Sequence, residues 1–332
     1  MPSRSVKILS IGKYLPKRKI YAEDLDKKLN LPEGWTAEKA GVLVRHYVEN
    51  ETSSKMGALA AKEAFDSAGL TLEDIDCIVC ASGTGEQEIP CTASLIQKEL
   101  GGEYSGIPSF DINSTCLSFV TGMDLLSYLI DAGRYNRVLV VSSEITSVGL
   151  NWDDKESCTL FGDGAAAVII EKTPENETSK IFCSDMKTYS KGAHYSEIKG
   201  GGTKLHSREY SENNKNDFLF YMDGKKLYKM SAQILPAFIE NMLKKVNLSL
   251  SDMELVIPHQ ASFMAMKLTQ KNLNIPEGKF LYTIGHHGNT VAASIPMALY
   301  DAIESGRIKR GDKIMFLGTS AGMSVGAMAF EY

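Results

Sequence analysis

The side chains best suited to covalent chemistry are Cys116, His259 and Asn289, which stand at three separate turns of the 332-residue chain. Cys116 follows a short strand-like run, 110–112, and precedes an apolar helical stretch. We therefore predict that it lies near a helix N-terminus, where free backbone N–H groups and the helix dipole favour the nucleophilic thiolate. A lone buried cysteine is more often an inert packing residue, so the functional interpretation depends on the other two side chains.

An internal duplication relates these residues to one another. Segment 70–79 matches segment 248–257 in polarity at an offset of 178, and later segments match at offsets of 173 to 176. Adding 173 to 116 gives 289, which predicts that Asn289 occupies the turn equivalent to that of Cys116. His259 follows the repeated strand of the second half, and ligands bind at the carboxyl ends of strands in open α/β sheets. The three side chains are therefore predicted to meet at one end of the molecule.

Residues of these types could carry an acyl group. A thiolate takes an acyl group from a thioester through a tetrahedral oxyanion, which needs backbone N–H donors. A neutral imidazole and a carboxamide N–H₂ could then hold a second carbonyl oxygen as it gains enolate charge. Together the three residues favour a condensing acyltransferase.

The elements that must position these residues alternate between strand-sized apolar runs and amphipathic helical stretches. This alternation predicts an α/β fold with two similar halves, 1–172 and 173–332, and mostly parallel sheets covered on both faces. The long irregular stretch at about 184–223 is predicted to be an insertion that covers the substrate.

Composition narrows the possible partners and the compartment. The net charge of −5 with scattered lysines gives no footprint for nucleic acid or for an anionic membrane. No apolar run approaches membrane-spanning length, and the N-terminal residues lack a secretory apolar stretch, so we expect a cytoplasmic protein. The six cysteines are expected to be free thiols.

Three other motifs have weaker interpretations. The segment 318–322, Gly-Thr-Ser-Ala-Gly, fits the nucleophile elbow of hydrolases, but no histidine follows it to complete their triad. Cys77 and Cys80 fit a C-x-x-C motif inside an apolar strand, where side chains three apart point to opposite faces, so we predict core packing. His286 and His287 precede Asn289 and are predicted to be supporting residues.

Four motifs together resemble the β-ketoacyl-acyl carrier protein synthase III family over essentially the whole chain. They are the Cys116 turn and the segments 257–261, 287–290 and 161–167. The resemblance implies a thiolase-like fold, a homodimer, and a reaction without a metal or redox cofactor. It also implies that Cys116 becomes acylated by an acyl-CoA, while His259 and Asn289 support decarboxylation of malonyl-acyl carrier protein or malonyl-CoA. The backbone N–H groups of Cys116 and Ala321 would form the oxyanion hole.

The same resemblance assigns residues that recognise the substrates. Trp35, Lys39 and Lys155 match positions that bind coenzyme A and its pantetheine arm, with lysines where arginines are usual. Ile89 matches the residue by which the partner subunit closes the acyl pocket.

A carrier-protein patch is also implied by the resemblance. Lys229 and Lys267 are its expected basic residues, and Met264 stands where the family usually has arginine. These departures leave open a specialised homologue of secondary metabolism, which would use another acyl acceptor or join two acyl thioesters head to head. A catalytically silent dimer partner is the remaining alternative.

Overall fold

The structure is a computed structural model that describes residues 3–332. The strands are β1 (Val6–Tyr14), β2 (Arg18–Tyr21), β3 (Val44–Tyr47), β4 (Cys77–Ala81), β5 (Ser109–Ile112), β6 (Arg137–Glu144), β7 (Gly164–Lys172), β8 (Lys180–Thr188), β9 (Ser196–Glu197), β10 (Tyr221–Met222), β11 (Leu255–Pro258), β12 (Lys313–Ser320) and β13 (Ser324–Glu331). The helices are α1 (Ala22–Lys28), α2 (Trp35–Ala40), α3 (Ser53–Ala68), α4 (Thr92–Glu99), α5 (Ser118–Asp131), α6 (Lys155–Cys158), α7 (Gly224–Lys244), α8 (Phe263–Asn272), α9 (Ile284–His287) and α10 (Ser294–Glu304).

Two mixed sheets form the frame. The first has the order β1-β7-β6-β4-β5 and the second the order β11-β12-β13-β8. Among the strands of residues 3–332, only the pairs β6-β4, β4-β5 and β11-β12 run parallel, so the prediction of mostly parallel sheets was wrong. Strands buried on both faces are apolar whether their neighbours run parallel or antiparallel, and apolar runs alone therefore do not give direction.

Helices α5 and α10 lie between the two sheets. The largest buried cluster joins both sheets through them: Val140 of the first sheet, Phe119 and Met123 of α5, Leu299 of α10, and Phe316 of the second sheet belong to it. Helices α3 and α4 cover the outer face of the first sheet, and α7 and α8 cover that of the second. Five layers of helices and sheets result, as the predicted thiolase-like fold requires.

The duplication is visible in the backbone, but with a different offset at the decisive turns. Helices α5 and α10 begin at Ser118 and Ser294, and β6 and β12 begin at Arg137 and Lys313, which is an offset of 176 in both cases. By this offset Asn289 corresponds to Asn113 and not to Cys116, so the equivalence predicted from the sequence was wrong.

The length of α10 explains the error. Helix α5 has 14 residues and α10 has 11. The glycines that follow them, Gly133 and Gly306, both have positive φ and are 173 residues apart. The sequence match at 173 therefore reflects the helix C-termini, and the turns that begin the helices are three residues further apart.

The irregular segment between β8 and α7 begins later than predicted. Strand β8 continues to Thr188 and pairs with β13, which accounts for the first residues of the predicted insertion. The remainder contains short 3₁₀ turns and the β9-β10 pair.

Candidate active site

Cys116 lies on the 3₁₀ turn Thr115–Leu117, which leads directly into α5. The turn begins with an unusual backbone conformation, since Thr115 has φ of 52°. The Asn113 side chain supports this conformation by accepting a hydrogen bond from the Thr115 N–H at 2.9 Å. Cys116 is thereby placed at the start of a buried helix with its side chain at the edge of a cavity.

The Cys116 thiol is protonated in this environment. Removal from water, together with the negative charge of Glu144, raises the pKa of the thiol to about 12, although the backbone N–H groups of Cys116 and Ala321 act in the opposite direction. The expectation of a stabilised thiolate was therefore wrong for the unliganded protein, because burial outweighs the helix N-terminus. The same two N–H groups converge on the sulfur, where an oxyanion would need them.

His259 follows β11 and is almost fully buried. Its Nδ1 lies 2.7 Å from the Ser294 hydroxyl at the start of α10, and that hydroxyl accepts a hydrogen bond from the Gln260 N–H at 3.3 Å. Burial lowers the pKa of His259 to about 4, so the imidazole is neutral near pH 7. The contact fixes the ring and leaves Nε2 as the nitrogen that can meet a substrate.

Asn289 is held from both sides. Its Oδ1 accepts from the Val291 N–H at 2.9 Å and its Nδ2 donates to the Ala261 carbonyl at 3.2 Å. Its backbone N–H donates to the Leu160 carbonyl at 2.8 Å, and its carbonyl accepts from the Gly162 N–H at 3.1 Å. The carboxamide is therefore fixed, with one N–H still available.

The motif 161–167 explains how Asn289 is seated. A Cβ on Gly162 would lie 2.1 Å from the His287 carbonyl oxygen, so only glycine permits the close approach. The buried Asp163 carboxylate accepts from the backbone N–H groups of Thr146 and Ser147 at 2.7 and 2.9 Å. Gly162 and Asp163 of this motif position the site, and Phe161 contributes to the lining of the cavity beside Cys116.

One cavity of about 650 Å³ brings the three predicted residues together. Cys116, His259, Asn289 and Ala321 all line it, and most of its other lining is apolar. The irregular segment before α7 contributes to its wall with these residues: Ser196, Glu197, Ile198, Phe220 and Met222.

The residues predicted to recognise substrates lie outside this cavity. Trp35 is half-buried and Lys39 is exposed on α2, where Lys39 pairs with Glu38 at 2.8 Å. Lys155 is exposed at the first turn of α6, and Ile89 is 84% exposed.

The predicted carrier-protein residues are also on the surface. Lys229 on α7 and Lys267 on α8 are exposed, and these two helices pack together. Met264 is 57% exposed on α8, while Ala265 and Met266 of the same helix face the cavity. Helix α8 thus has one face on the candidate site and another available to a partner.

Two residues beside the site were missed by the sequence reasoning. Glu144 ends the buried strand β6, as His259 follows the buried strand β11 of the other sheet, and an acidic residue at such a strand end could have been noticed in the sequence. Ser294 gave no signal, because nothing in the sequence shows that its hydroxyl reaches a histidine 35 residues earlier.

The weaker motifs have structural roles. Cys77 and Cys80 are buried in β4 and belong to different core clusters, as their spacing predicts. His287 is buried, and its Nε2 lies 2.8 Å from the Asp301 carboxylate, whereas His286 is exposed. Ser320 ends β12 in the hairpin to β13, and not in a strand-to-helix elbow.

Comparison with known families and proteins agrees with this arrangement. Residues 110–190 match the model for 3-oxoacyl-[acyl-carrier-protein (ACP)] synthase III, and residues 243–332 match the model for the C-terminal part of the same enzymes. A β-ketoacyl-[acyl-carrier-protein] synthase III of Vesicomyosocius okutanii is 34% identical over 99% of this chain and all of its own length. The chain belongs to this family. It is accordingly a condensing transferase related to the enzymes of fatty-acid synthesis.

Solved structures of the family agree in the fold. The 3-oxoacyl-[acyl-carrier-protein] synthase III of Aquifex aeolicus has a TM-score of 0.88 at 32% identity, over 98% of this chain and all of that one. The Pseudomonas aeruginosa enzyme has a TM-score of 0.88 at 28% identity, over 99% and 98% of the two chains. Xanthomonas campestris OleA, at 19% identity and a TM-score of 0.86 over all of both chains, shares the fold.

Two further properties concern the described residues as a whole. Within residues 3–332, no helix is long and apolar enough to cross a membrane. All six cysteines are unpaired thiols.

Proposed function

We propose that this synthase III homologue transfers an acyl group from an acyl-CoA to Cys116 and condenses it with a malonyl thioester. In the first half-reaction the Cys116 sulfur forms a thioester with the acyl carbonyl, coenzyme A leaves, and the thiol proton passes to the departing sulfur. In the second, the malonyl thioester loses CO₂ and its enolate carbon attacks the acyl-cysteine. The products are a β-ketoacyl thioester and the Cys116 thiolate, which then takes up a proton.

The observation that carries the proposal is one cavity lined by Cys116, His259, Asn289 and Ala321, with two backbone donors beside the Cys116 sulfur. The N–H groups of Cys116 and Ala321 both interact with the Cys116 sulfur. An acyl carbonyl bound to that sulfur would place its oxygen beside these donors, which favour the tetrahedral oxyanion. A thiol that only filled space in the core would not need them.

His259 and Asn289 serve the second half-reaction in this proposal. A neutral imidazole with Nδ1 fixed by Ser294 can donate from Nε2, and Asn289 can donate from Nδ2. Two neutral donors on the malonyl thioester oxygen would stabilise the enolate formed when CO₂ leaves. The reaction uses no metal or redox cofactor.

Acylation provides the direct test. Incubation with an acyl-CoA should increase the intact protein mass by one acyl group, and peptide mapping should place that group on Cys116. Cys116→Ala should remain unmodified while keeping its fold. Acylation of Cys77, Cys91 or Cys158 with Cys116 unmodified would contradict the assignment, and no acylation at all would favour a catalytically silent partner.

Substrate recognition is assigned to the surface around the cavity. We propose that Trp35, Lys39 and Lys155 receive coenzyme A, where each lysine supplies charge without the bidentate geometry of arginine. A Cβ on Gly41, just after α2, would lie 2.3 Å from Phe263 Cβ, so the helix that bears Trp35 and Lys39 lies beside the start of α8.

The carrier-protein patch can be tested by restoring a charge. Met264→Arg should raise turnover with malonyl-acyl carrier protein roughly two- to fivefold at low salt, because an added positive charge near Lys229 and Lys267 attracts the acidic carrier. The gain should fade as salt rises, since the screening length is about 10 Å at 0.1 M. Met264→Gln is the uncharged control, and acylation from acyl-CoA should be unaffected in both variants. Equal rates for both variants at low and high salt would mean that this surface does not meet the carrier.

We also propose a cytoplasmic homodimer. Strand β5 is an edge of its sheet, with unpaired backbone groups that a second copy could use. Ile89 stands exposed on the segment before α4, so a partner could cover it and bring it to the partner's acyl pocket. The unpaired thiols suit a reducing compartment. Sedimentation analysis should give twice the 36.4 kDa chain mass.

A further inference from the structure

A buried carboxyl group beside the candidate nucleophile has no part in the proposed reaction. Glu144, the last residue of β6, is 0% exposed. Its Oε1 accepts from the Gly83 N–H at 2.6 Å and the Ala292 N–H at 3.3 Å. Its Oε2 accepts from the Thr84 N–H at 2.9 Å and the Thr84 hydroxyl at 2.6 Å. One side chain therefore joins the loop after β4 to the turn that carries Asn289.

The donors around Glu144 are neutral. No ion pair among residues 3–332 includes it. Gly83, which donates to Glu144, packs against the turn that carries Cys116: a Cβ on Gly83 would lie 3.3 Å from Thr115 Cα. Burial raises the pKa of the Cys116 thiol, and the negative charge of Glu144 raises it further. The pKa of Cys80 on β4 is likewise raised by burial and then by the charges of Asp111 and Glu144. Asp163 immediately precedes Gly164, the β7 partner of Glu144, and its carboxylate accepts hydrogen bonds from the backbone N–H groups of Thr146 and Ser147.

We propose that Glu144 is a positioning residue whose charge holds Cys116 in the thiol form, so that the protonation of Glu144 sets the pH at which Cys116 becomes nucleophilic. This inference rests on the proposed role of Cys116. Two negative charges in one buried site repel, so the carboxylate and the thiolate disfavour each other. The pair then titrates as a unit, and loss of the Glu144 charge makes the Cys116 thiolate easier to form.

The state of Glu144 can change within the working pH range. Burial raises its pKa to about 7, against the effect of the hydrogen bonds from Thr84, Gly83 and Ala292. The carboxyl is then partly neutral at pH 7 and mostly ionised at pH 8. A group fixed in one charge state would hold the loops equally well but could not couple pH to the thiol.

Alkylation of Cys116 by iodoacetamide measures this coupling without any turnover. Glu144→Gln removes the charge and keeps the shape, so the apparent pKa of Cys116 should fall and alkylation at pH 8 should accelerate about tenfold for each unit of that fall. Glu144→Asp keeps the charge and should not lower the apparent pKa. Peptide mapping separates Cys116 from Cys91, which is also partly accessible. Circular dichroism and thermal unfolding report the fold of each variant.

A second pair of variants keeps the proposal testable if Glu144→Gln does not fold. The Thr84 hydroxyl stabilises the ionised carboxyl, so Thr84→Val should raise the pKa of Glu144 and speed Cys116 alkylation near pH 7.5. Thr84→Ser keeps the hydroxyl and should behave as wild type.

The outcomes are distinct. Faster alkylation in Glu144→Gln and Thr84→Val, with wild-type profiles in Glu144→Asp and Thr84→Ser, supports the proposal. Superimposable alkylation profiles for the wild type and folded charge-changing variants would overturn it, as would equal acceleration in Glu144→Gln and Glu144→Asp, because a structural role alone predicts that result. Since acyl transfer is not measured, an alkylation result of either kind is independent of whether Cys116 accepts an acyl group.

Discussion

The turns that begin α5 and α10 have nearly the same backbone but different chemistry. Thr115 and Val291 both have positive φ, 52° and 48°, although both are β-branched. In each turn an asparagine two residues earlier, Asn113 or Asn289, accepts a hydrogen bond from that residue's N–H at 2.9 Å. The duplication thus preserved a turn that neither sequence would adopt easily without support.

The two turns differ in the residues at equivalent positions and in what those residues contact. The first turn presents Cys116 where the second has Ala292, whose N–H instead holds Glu144. Asn113 is exposed, whereas Asn289 is buried and donates to the Ala261 carbonyl at 3.2 Å. One turn therefore supplies the candidate nucleophile and the other a fixed amide donor, so the two halves divide the proposed reaction between them.

The largest expected effect comes from removing the donors of the second half. His259→Ala or Asn289→Ala should leave acylation of Cys116 nearly unchanged and slow condensation by roughly 10²–10³-fold, because both act on the second substrate. The losses should not add in the double variant, since the two donors share one oxygen. Rates of acylation and of CO₂ release, measured separately, would show this division. A double variant that condenses at a near wild-type rate would contradict the proposed roles of His259 and Asn289.

The same comparison shows how far sequence reasoning reaches. Alternating apolar runs and repeated segments predicted the α/β halves, because burial and chain periodicity are local properties. The three residues that share the cavity were also predicted, although Asn289 was chosen through an incorrect equivalence. Helices of unequal length hide the true offset, and only the turn geometry of Thr115 and Val291 reveals it.

Charge interactions and hydrogen bonds between distant parts of the chain could not be predicted from the sequence. The position of Cys116 at a helix start predicted a thiolate. The balance between its thiol and thiolate forms depends on burial and on Glu144, which lies 28 residues further along the chain. Sheet direction and the contact between Ser294 and His259 are likewise tertiary properties.

An effect of intermediate size on condensation should distinguish Ser294, which begins α10, from Ser118, which begins α5. Ser294→Ala removes the contact to His259 Nδ1 and should slow condensation about tenfold by releasing the ring, with acylation retained. Ser118→Ala is the matched control, because within residues 3–332 the Ser118 hydroxyl bonds to backbone groups alone: it shares its proton between the Ser82 and Thr115 carbonyls and accepts from the Ser114 N–H. It should lower thermal stability without changing the ratio of condensation to acylation. Equal changes in that ratio for both variants would remove the proposed positioning role of Ser294.

The smallest expected effect is that of pH on condensation by the pre-acylated wild type. Burial lowers the pKa of His259 to about 4, so its neutral form prevails throughout pH 5.5–8, and single-turnover CO₂ release should be nearly constant there. An exposed histidine with a pKa near 6.5 would be about nine-tenths protonated at pH 5.5 and would lose the reaction about tenfold. The acyl-cysteine has no thiol proton to titrate, so the coupling between Cys116 and Glu144 is absent from this half-reaction.

Ser294→Ala supplies the comparison, because a released ring that reaches water should titrate closer to its ordinary pKa and slow the reaction as the pH falls. A wild-type rate that falls tenfold from pH 8 to 5.5 would show that His259 is not kept neutral by burial, and would remove the basis for treating it as a neutral donor.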